Sequence, residues 1–332
     1  MMREFKPDVE PFDLVVIGSV PAGEKAAAKA AYLGKRIAII ERSRQSVGGV
    51  AVTRLGMVPT KTLRESALYL TGFRKREIYG VSVQLEPSAI HNQLSQRTDD
   101  VSGSMSQAVR ENVARHQVEL VAGTATLRPD RHVVFDSERV LEIGSTPASV
   151  VIVGGGAIGC EHASIFTALG VIGPPALASA AMEQGRIAVC DAFGVPGSEA
   201  LDAIIPSGVY SIPEIAGVGL TEQEAAQQGI DYEIGRGRFS SNARGNISGA
   251  TEGLVKLVFR RDDRTVIGAH ILGEVASELI HIGQSAIYHR DTIEYFLDTT
   301  FNVPTYAEAY KDAAYDGLQR LAATSTSEAL LR

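Results

Sequence analysis

The sequence predicts an α/β fold divided into three parts, and three observations lead to this prediction. A short apolar run, a glycine turn, a helical stretch and a second apolar run follow one another in residues 12–41. A second apolar run leads into another glycine turn at residues 149–159. Further on, short strands and turns are followed by two amphipathic helices. The predicted parts are residues 1–148, 149–206 and 207–332.

The first part is predicted to be Rossmann-like. Residues 12–17 form an apolar run typical of a buried parallel strand. Residues 22–33 are rich in Ala and Lys, which favours a helix, and Gly34 is a suitable residue to end it. Residues 36–41 form a second apolar strand, which closes a βαβ unit of about 30 residues.

The turn between the first strand and its helix matches most of a dinucleotide-binding fingerprint. Gly18 and Gly23 occupy the first and third glycine positions. Glu41 lies where the fingerprint has an acidic residue that hydrogen-bonds to the ribose. The middle glycine is replaced by Val20, whose side chain would take space that phosphate oxygens need. An ordinary glycine-rich strand-to-helix turn is the alternative interpretation.

A second glycine turn, with Gly154, Gly156 and Gly159, has all three fingerprint glycines and precedes a predicted helix. No strand ending in Asp, Glu or Arg follows at the expected distance, so this nucleotide-binding segment is predicted to be truncated. A packing turn that binds no nucleotide is the alternative.

The third part is predicted to contain a hairpin and two long amphipathic helices. Residues 254–259 and 266–272 are joined by a charged turn, which indicates an antiparallel pair. Residues 276–287 and 307–321 each place apolar residues on one helical face. These faces are either a dimer interface or the core of the domain itself.

Composition narrows the range of functions. The chain has 332 residues, 45% of them hydrophobic, and a net charge of −7, so no basic surface favours nucleic acid. The two cysteines, Cys160 and Cys190, make no disulfide framework and show no zinc-ligand spacing. No signal-peptide pattern and no apolar run of about 18 residues occurs, so we predict a cytoplasmic protein without membrane or nucleic-acid partners and without a metal.

Residues 48–61 carry a resemblance to a known family. The stretch runs from Gly48-Gly49 to Pro59-Thr60-Lys61. It resembles the redox-helix segment of the flavoprotein disulfide reductases, which include lipoamide dehydrogenase and glutathione reductase. The redox cysteines of that segment are replaced by Ala51 and Met57. The soluble pyridine nucleotide transhydrogenases also lack the redox disulfide. The chain resembles them most, with internal segments missing.

This resemblance implies FAD as cofactor and NAD(P) as substrate. It implies that Gly18, Gly23 and Glu41 hold the diphosphate and ribose of FAD. The remaining cofactor contacts that it implies are Gly48, Gly49, Gly123, Ala125 and Ala178 for FAD and Gly154, Gly156 and Gly159 for the nicotinamide dinucleotide. It also implies that the third part is an interface domain, and therefore a homodimer.

The catalytic residues implied by the resemblance are Lys61, Glu161 and Glu308. Lys61 would lie beside flavin N5, paired with Glu161, and its charge would stabilise the reduced flavin. Glu308 occupies the position of the family's acid/base Glu, although Val303 replaces the family's His.

The implied reaction is hydride transfer from NADPH to NAD through the flavin. Two alternatives remain. One is a catalytically impaired remnant that folds and dimerises, and the other is a diaphorase-like flavoprotein that oxidises NAD(P)H with another acceptor.

Overall fold

The computed structural model describes residues 3–4, 12–42, 47–49, 52, 57–71, 87–123, 125, 177–197 and 204–330. The chain divides into two compact units. The N-terminal unit contains residues 1–66 and 85–201, and the C-terminal unit contains residues 67–84 and 202–332. The second glycine turn and Glu161 lie outside the described residues.

The N-terminal unit is built on a four-stranded parallel sheet. Its strands are β1 (Arg3–Glu4), β2 (Leu14–Ile17), β3 (Ile37–Glu41) and β4 (Glu119–Ala122). Their order across the sheet is β1-β4-β3-β2. The predicted parallel pair is confirmed, with Leu14 opposite Ile37. Because the strands are parallel, their carboxyl ends all lie at one edge.

Four helices come first in chain order: α1 (Pro21–Tyr32), α2 (Met57–Thr71), α3 (Pro87–Arg115) and α4 (Ala178–Ala192). All of them except α2 lie wholly in the N-terminal unit, and α2 ends in residues of the C-terminal unit. Helix α1 ends before Gly34, which has a φ of +70°, so the predicted glycine stop is present.

Small residues let α1 pack closely in the N-terminal unit. Ala27 and Ala30 of α1 are fully buried in a core that also contains Val16 and Ile39 of the sheet. A Cβ built on Gly185 of α4 would lie 2.6 Å from the carbonyl oxygen of Ala22 in α1. The Ala-rich composition of α1 therefore supports packing as well as helix formation.

The C-terminal unit contains a five-stranded antiparallel sheet. Its strands are β5 (Ser207–Val209), β6 (Glu214–Gly219), β7 (Tyr232–Arg238), β8 (Leu254–Arg260) and β9 (Val266–Gly273), in the order β5-β6-β9-β8-β7. The predicted hairpin is confirmed as β8 and β9.

The helices of this unit are α5 (Glu222–Gln227), α6 (Ala243–Ser248), α7 (Ala276–His289), α8 (Glu294–Asp298) and α9 (Glu308–Leu330). Within the described residues, no helix has the length and apolar character needed to cross a membrane.

The apolar faces of α7 and α9 form the core of the C-terminal unit. Ala276 and Ile280 of α7, and Tyr310 and Ala314 of α9, are at most 2% exposed. Of the two interpretations of these faces, the structure therefore supports the domain's own core.

Helix α9 lies directly against the backbone of β7. A Cβ built on Gly235 would overlap the carbonyl oxygen of Ala313, and one built on Gly237 would overlap that of Ala309. Neither glycine has a positive φ, so the requirement for glycine is steric rather than conformational.

We predict that Gly237→Ala lowers the free energy of unfolding by about 2–3 kcal/mol, because a methyl group cannot fit between the strand and α9. Chemical denaturation measures this change. The control is Gly103→Ala in α3, where a Cβ meets no atom within 4 Å. That change should be neutral or stabilising by up to about 1 kcal/mol. Equal effects of the two substitutions would contradict the prediction.

Candidate cofactor-binding site

The carboxyl ends of β2, β3 and β4 bring three of the predicted site residues together. Gly18 follows β2, and its N–H donates to the Ile40 carbonyl at 2.9 Å. Glu41 ends β3, and its carbonyl accepts from the Gly123 N–H at 3.0 Å. Gly18, Glu41 and Gly123 thus lie at one edge of the sheet, where ligands of open α/β sheets bind.

The turn after β2 has the geometry of an anion-binding site. Gly18 has a φ of +90°, a conformation that favours glycine. Pro21 is the first residue of α1, and no side chain caps this helix. The first helical hydrogen bond runs from Glu24 N–H to the Val20 carbonyl. The Gly23 amide lies before this bond in the first turn, so it faces the amino-terminal end of the helix.

Ser19 connects three segments of the site through hydrogen bonds. Its backbone N–H and its hydroxyl both donate to Glu41 Oε2, at 3.0 and 2.6 Å. Its hydroxyl oxygen accepts from Gly48 N–H at 2.8 Å. Ser19 is fully buried and Glu41 is 9% exposed, so these bonds satisfy polar groups that have little access to water.

Gly48 and Gly49 form a buried turn beside this network. Their φ angles are +98° and +79°. A Cβ built on Gly49 would overlap Val20 Cγ1, so the valine side chain lies against the backbone of this turn. We call residues 18–23 together with Gly48 and Gly49 the diphosphate cradle.

Other predicted site residues are present without a contact that tests their role. Lys61 is half-buried in α2, and Ala178 is the half-buried first residue of α4. A Cβ built on Gly123 would meet no atom within 4 Å, so there is space for a side chain at this position. Ala125 is half-buried. Their contacts with a cofactor remain predictions. Gly154, Gly156, Gly159 and Glu161 lie outside the described residues.

Glu308 begins α9 and holds the segment before it. Its Oε2 accepts a hydrogen bond from Thr305 N–H at 3.2 Å, and Asn242 Nδ2 donates to the Thr305 carbonyl at 2.9 Å. Burial, with the negative charge of Glu308 nearby, raises the pKa of Asp312. Glu308 is therefore a structural residue of this turn, and its catalytic role stays a prediction.

Tyr306 lies in the same segment and its hydroxyl is shared by two side chains. Ser248 Oγ lies 2.5 Å from the phenol oxygen, and the phenol donates to Glu274 Oε2 at 3.2 Å. Burial raises the pKa of Tyr306, so the phenol remains protonated at neutral pH.

Gly18, Glu41, Gly48 and Gly49 are predicted site residues, and the structure adds Ser19, which is not among the predicted residues, through its bonds to Glu41 and Gly48. The signal for Ser19 was present: a hydroxyl residue follows the turn glycine directly, at a place where the backbone is already committed to a tight turn. Its partners are 22 and 29 residues away, so the sequence alone did not indicate them.

The fold and the cradle together define a dinucleotide-binding protein. Gly18, the uncapped start of α1, Glu41 and the Gly48–Gly49 turn fit the diphosphate and ribose of FAD. Val20 is the one cradle residue that departs from this fit.

Comparisons with known proteins agree with this class. Residues 12–172 match the family model of pyridine nucleotide-disulphide oxidoreductases, and residues 205–314 match the dimerisation domain of the same enzymes. A soluble pyridine nucleotide transhydrogenase of Mycobacterium bovis is 31% identical, over 94% of this chain and 98% of that protein. A protein of the same name from Pseudomonas savastanoi is 29% identical over 93% and 99%.

Solved structures confirm the fold. LpdA from Mycobacterium tuberculosis matches with a TM-score of 0.70 at 19% identity, covering 91% of this chain and 98% of that one. The flavoprotein disulfide reductase RclA from Escherichia coli matches with a TM-score of 0.67 at 18% identity, covering 92% and 99%.

The chain belongs to the pyridine nucleotide-disulphide oxidoreductase family. It is therefore an FAD-dependent oxidoreductase with a nicotinamide dinucleotide as substrate. The alignment with the Mycobacterium bovis relative spans 462 positions, whereas this chain has 332 residues. At least 130 aligned positions thus have no counterpart here, as the sequence predicted.

We predict that Ser19→Ala destabilises the protein by about 1–3 kcal/mol, because it removes one hydroxyl donor to the buried Glu41 carboxylate and the acceptor of the Gly48 N–H. Urea denaturation measures the loss. Ser104→Ala is the matched control, since Ser104 is exposed and its hydroxyl donates to the Asp100 carbonyl within α3. It should change stability by no more than about 0.5 kcal/mol. A Ser19→Ala protein as stable as the control would show that the network contributes nothing.

Proposed function

We propose that this protein transfers hydride from NADPH to NAD through FAD, as a transhydrogenase without a redox disulfide. The observation that carries the proposal is the similarity, over nearly the whole chain, to relatives named soluble pyridine nucleotide transhydrogenase. The residues agree with it, because Ala51 and Met57 stand where the disulfide reductases have their cysteines.

In this proposal the protein binds and orients two nucleotides and leaves the redox step to the cofactor. FAD, when bound, supplies an acceptor and donor for two electrons and a proton. The diphosphate cradle holds its phosphates, and Glu41 reads its ribose. Lys61, paired with Glu161, would place a positive charge beside the flavin, and Glu308 holds the turn before α9.

We also infer a cytoplasmic location. Cys190 is a buried free thiol, which suits a reducing compartment.

The proposed reaction is tested by anaerobic spectroscopy of the FAD-loaded protein. We expect NADPH to bleach the flavin absorbance and NAD to restore it. Lys61→Met should slow the bleaching by tenfold or more, because it removes the charge that stabilises the reduced flavin. The control is Lys25→Met on the exposed side of α1, which should leave the rate unchanged.

Two other results would each favour an alternative. Flavin that is bleached by NADPH and reoxidised by oxygen or a dye, but not by NAD, would indicate a diaphorase. Loaded flavin that NADPH does not reduce would indicate a remnant without turnover.

The proposed homodimer has a candidate interface on the sheet of the C-terminal unit. Val209 lies opposite Ile215, and Ile215 lies opposite Leu272, so these three side chains form a row across β5, β6 and β9 on one face. They are 60%, 50% and 38% exposed. A row of large apolar side chains exposed on one face of a sheet favours association with a second copy of the chain. The match to a dimerisation domain supports this association.

We predict that Ile215→Asp converts the dimer into monomers, since a charge would be buried at the centre of the row. Sedimentation at micromolar concentration measures the mass. Ile247→Asp is the matched control, because Ile247 is 65% exposed on α6 and is not part of the row. It should leave the dimer intact. A wild-type monomer, or an Ile215→Asp dimer, would contradict this interface.

A further inference from the structure

Val20 occupies the cradle position at which the fingerprint requires no side chain. The second glycine of the fingerprint lets the backbone approach the pyrophosphate closely. Val20 precedes α1 with φ −62° and ψ 164°, an extended conformation that any residue adopts. Its side chain has no polar atom and does not cap the helix. Neither the backbone conformation nor helix capping therefore requires a valine at this position.

The direction of the Val20 side chain is fixed by its neighbour. A Cβ built on Gly49 would overlap Val20 Cγ1 and would lie 3.3 Å from Val20 Cβ. Gly49 is buried, and Gly48 beside it is bonded to Ser19. The isopropyl group thus lies between the start of α1 and the Gly48–Gly49 turn, the two backbone segments that the proposed function assigns to the diphosphate.

We propose that Val20 is an affinity determinant that weakens the hold of the cradle on the diphosphate, so that FAD binds reversibly instead of remaining bound through purification. The proposal rests on the proposed function, because it takes FAD as the cofactor. Its physical basis is excluded volume: a phosphate oxygen and the isopropyl group compete for the same space, and the turn held by Ser19 has little freedom to withdraw. The effect belongs to the diphosphate and extends to other nucleoside diphosphates.

The test compares the full-length protein with Val20→Gly, Val20→Ala and Val20→Ile. Titration with FAD, followed by quenching of flavin fluorescence, gives each dissociation constant. Calorimetry with ADP, and ligand-observed NMR with adenosine, separate the diphosphate from the nucleoside. We expect Val20→Gly to tighten FAD and ADP by roughly tenfold or more, Val20→Ala by less, and Val20→Ile to weaken both. Adenosine affinity should stay within about twofold across the series.

Thermal unfolding without ligand accompanies each titration, so that a folding defect is not taken for lost affinity. Equal FAD affinity in all four proteins would overturn the role of Val20 and leave the proposed function standing. A gain for adenosine as large as that for ADP would also overturn it, because the side chain would then act elsewhere. Failure of every variant to bind FAD or ADP would overturn both proposals.

Discussion

The buried hydrogen bonds between Ser19 and Glu41 are the interaction on which the site depends. A carboxylate at 9% exposure needs donors, and Ser19 supplies two of them to one oxygen. Because the same hydroxyl accepts from Gly48, the turn after β2, the end of β3 and the glycine turn are held as one body. The cradle is therefore held in place by the protein's own hydrogen bonds, and the position of Val20 is fixed with it.

Close packing against backbone is the second constraint, and both units meet it with small residues. In the N-terminal unit, Gly185 of α4 lies against the Ala22 carbonyl at the start of α1. In the C-terminal unit, Gly235 and Gly237 of β7 lie against the carbonyl groups of α9 in the same way. Each unit thus buries a core of its own among the described residues.

The sequence predicted those features that are set by local pattern. The βαβ unit, its stop at Gly34 and the β8–β9 hairpin all follow from apolar runs and turn residues close in the chain. The first half of helix α3, which runs from Pro87 to Arg115, was not predicted from the sequence, because it is polar and gives no periodic apolar signal.

Features set by pairing across the chain escaped prediction for a physical reason. Ser19 gains its role only when β3 brings Glu41 beside it, and the row of Val209, Ile215 and Leu272 exists only in the register of three strands. The apolar faces of α7 and α9 were predicted to be buried, and they are. The sequence pattern could not predict whether the same chain or a second copy covers them.

Val20 combines both kinds of information. The sequence shows that a glycine is missing from the fingerprint, but a substitution in a loop is harmless when the side chain turns outward to water. In the structure the Val20 side chain does not turn outward to water, because it points at Gly49. The turn that contains Gly49 is held in place by the hydrogen bond from Gly48 N–H to the Ser19 hydroxyl. A local departure in sequence becomes a constraint on the cofactor only because a distant hydrogen bond holds the opposite wall in place.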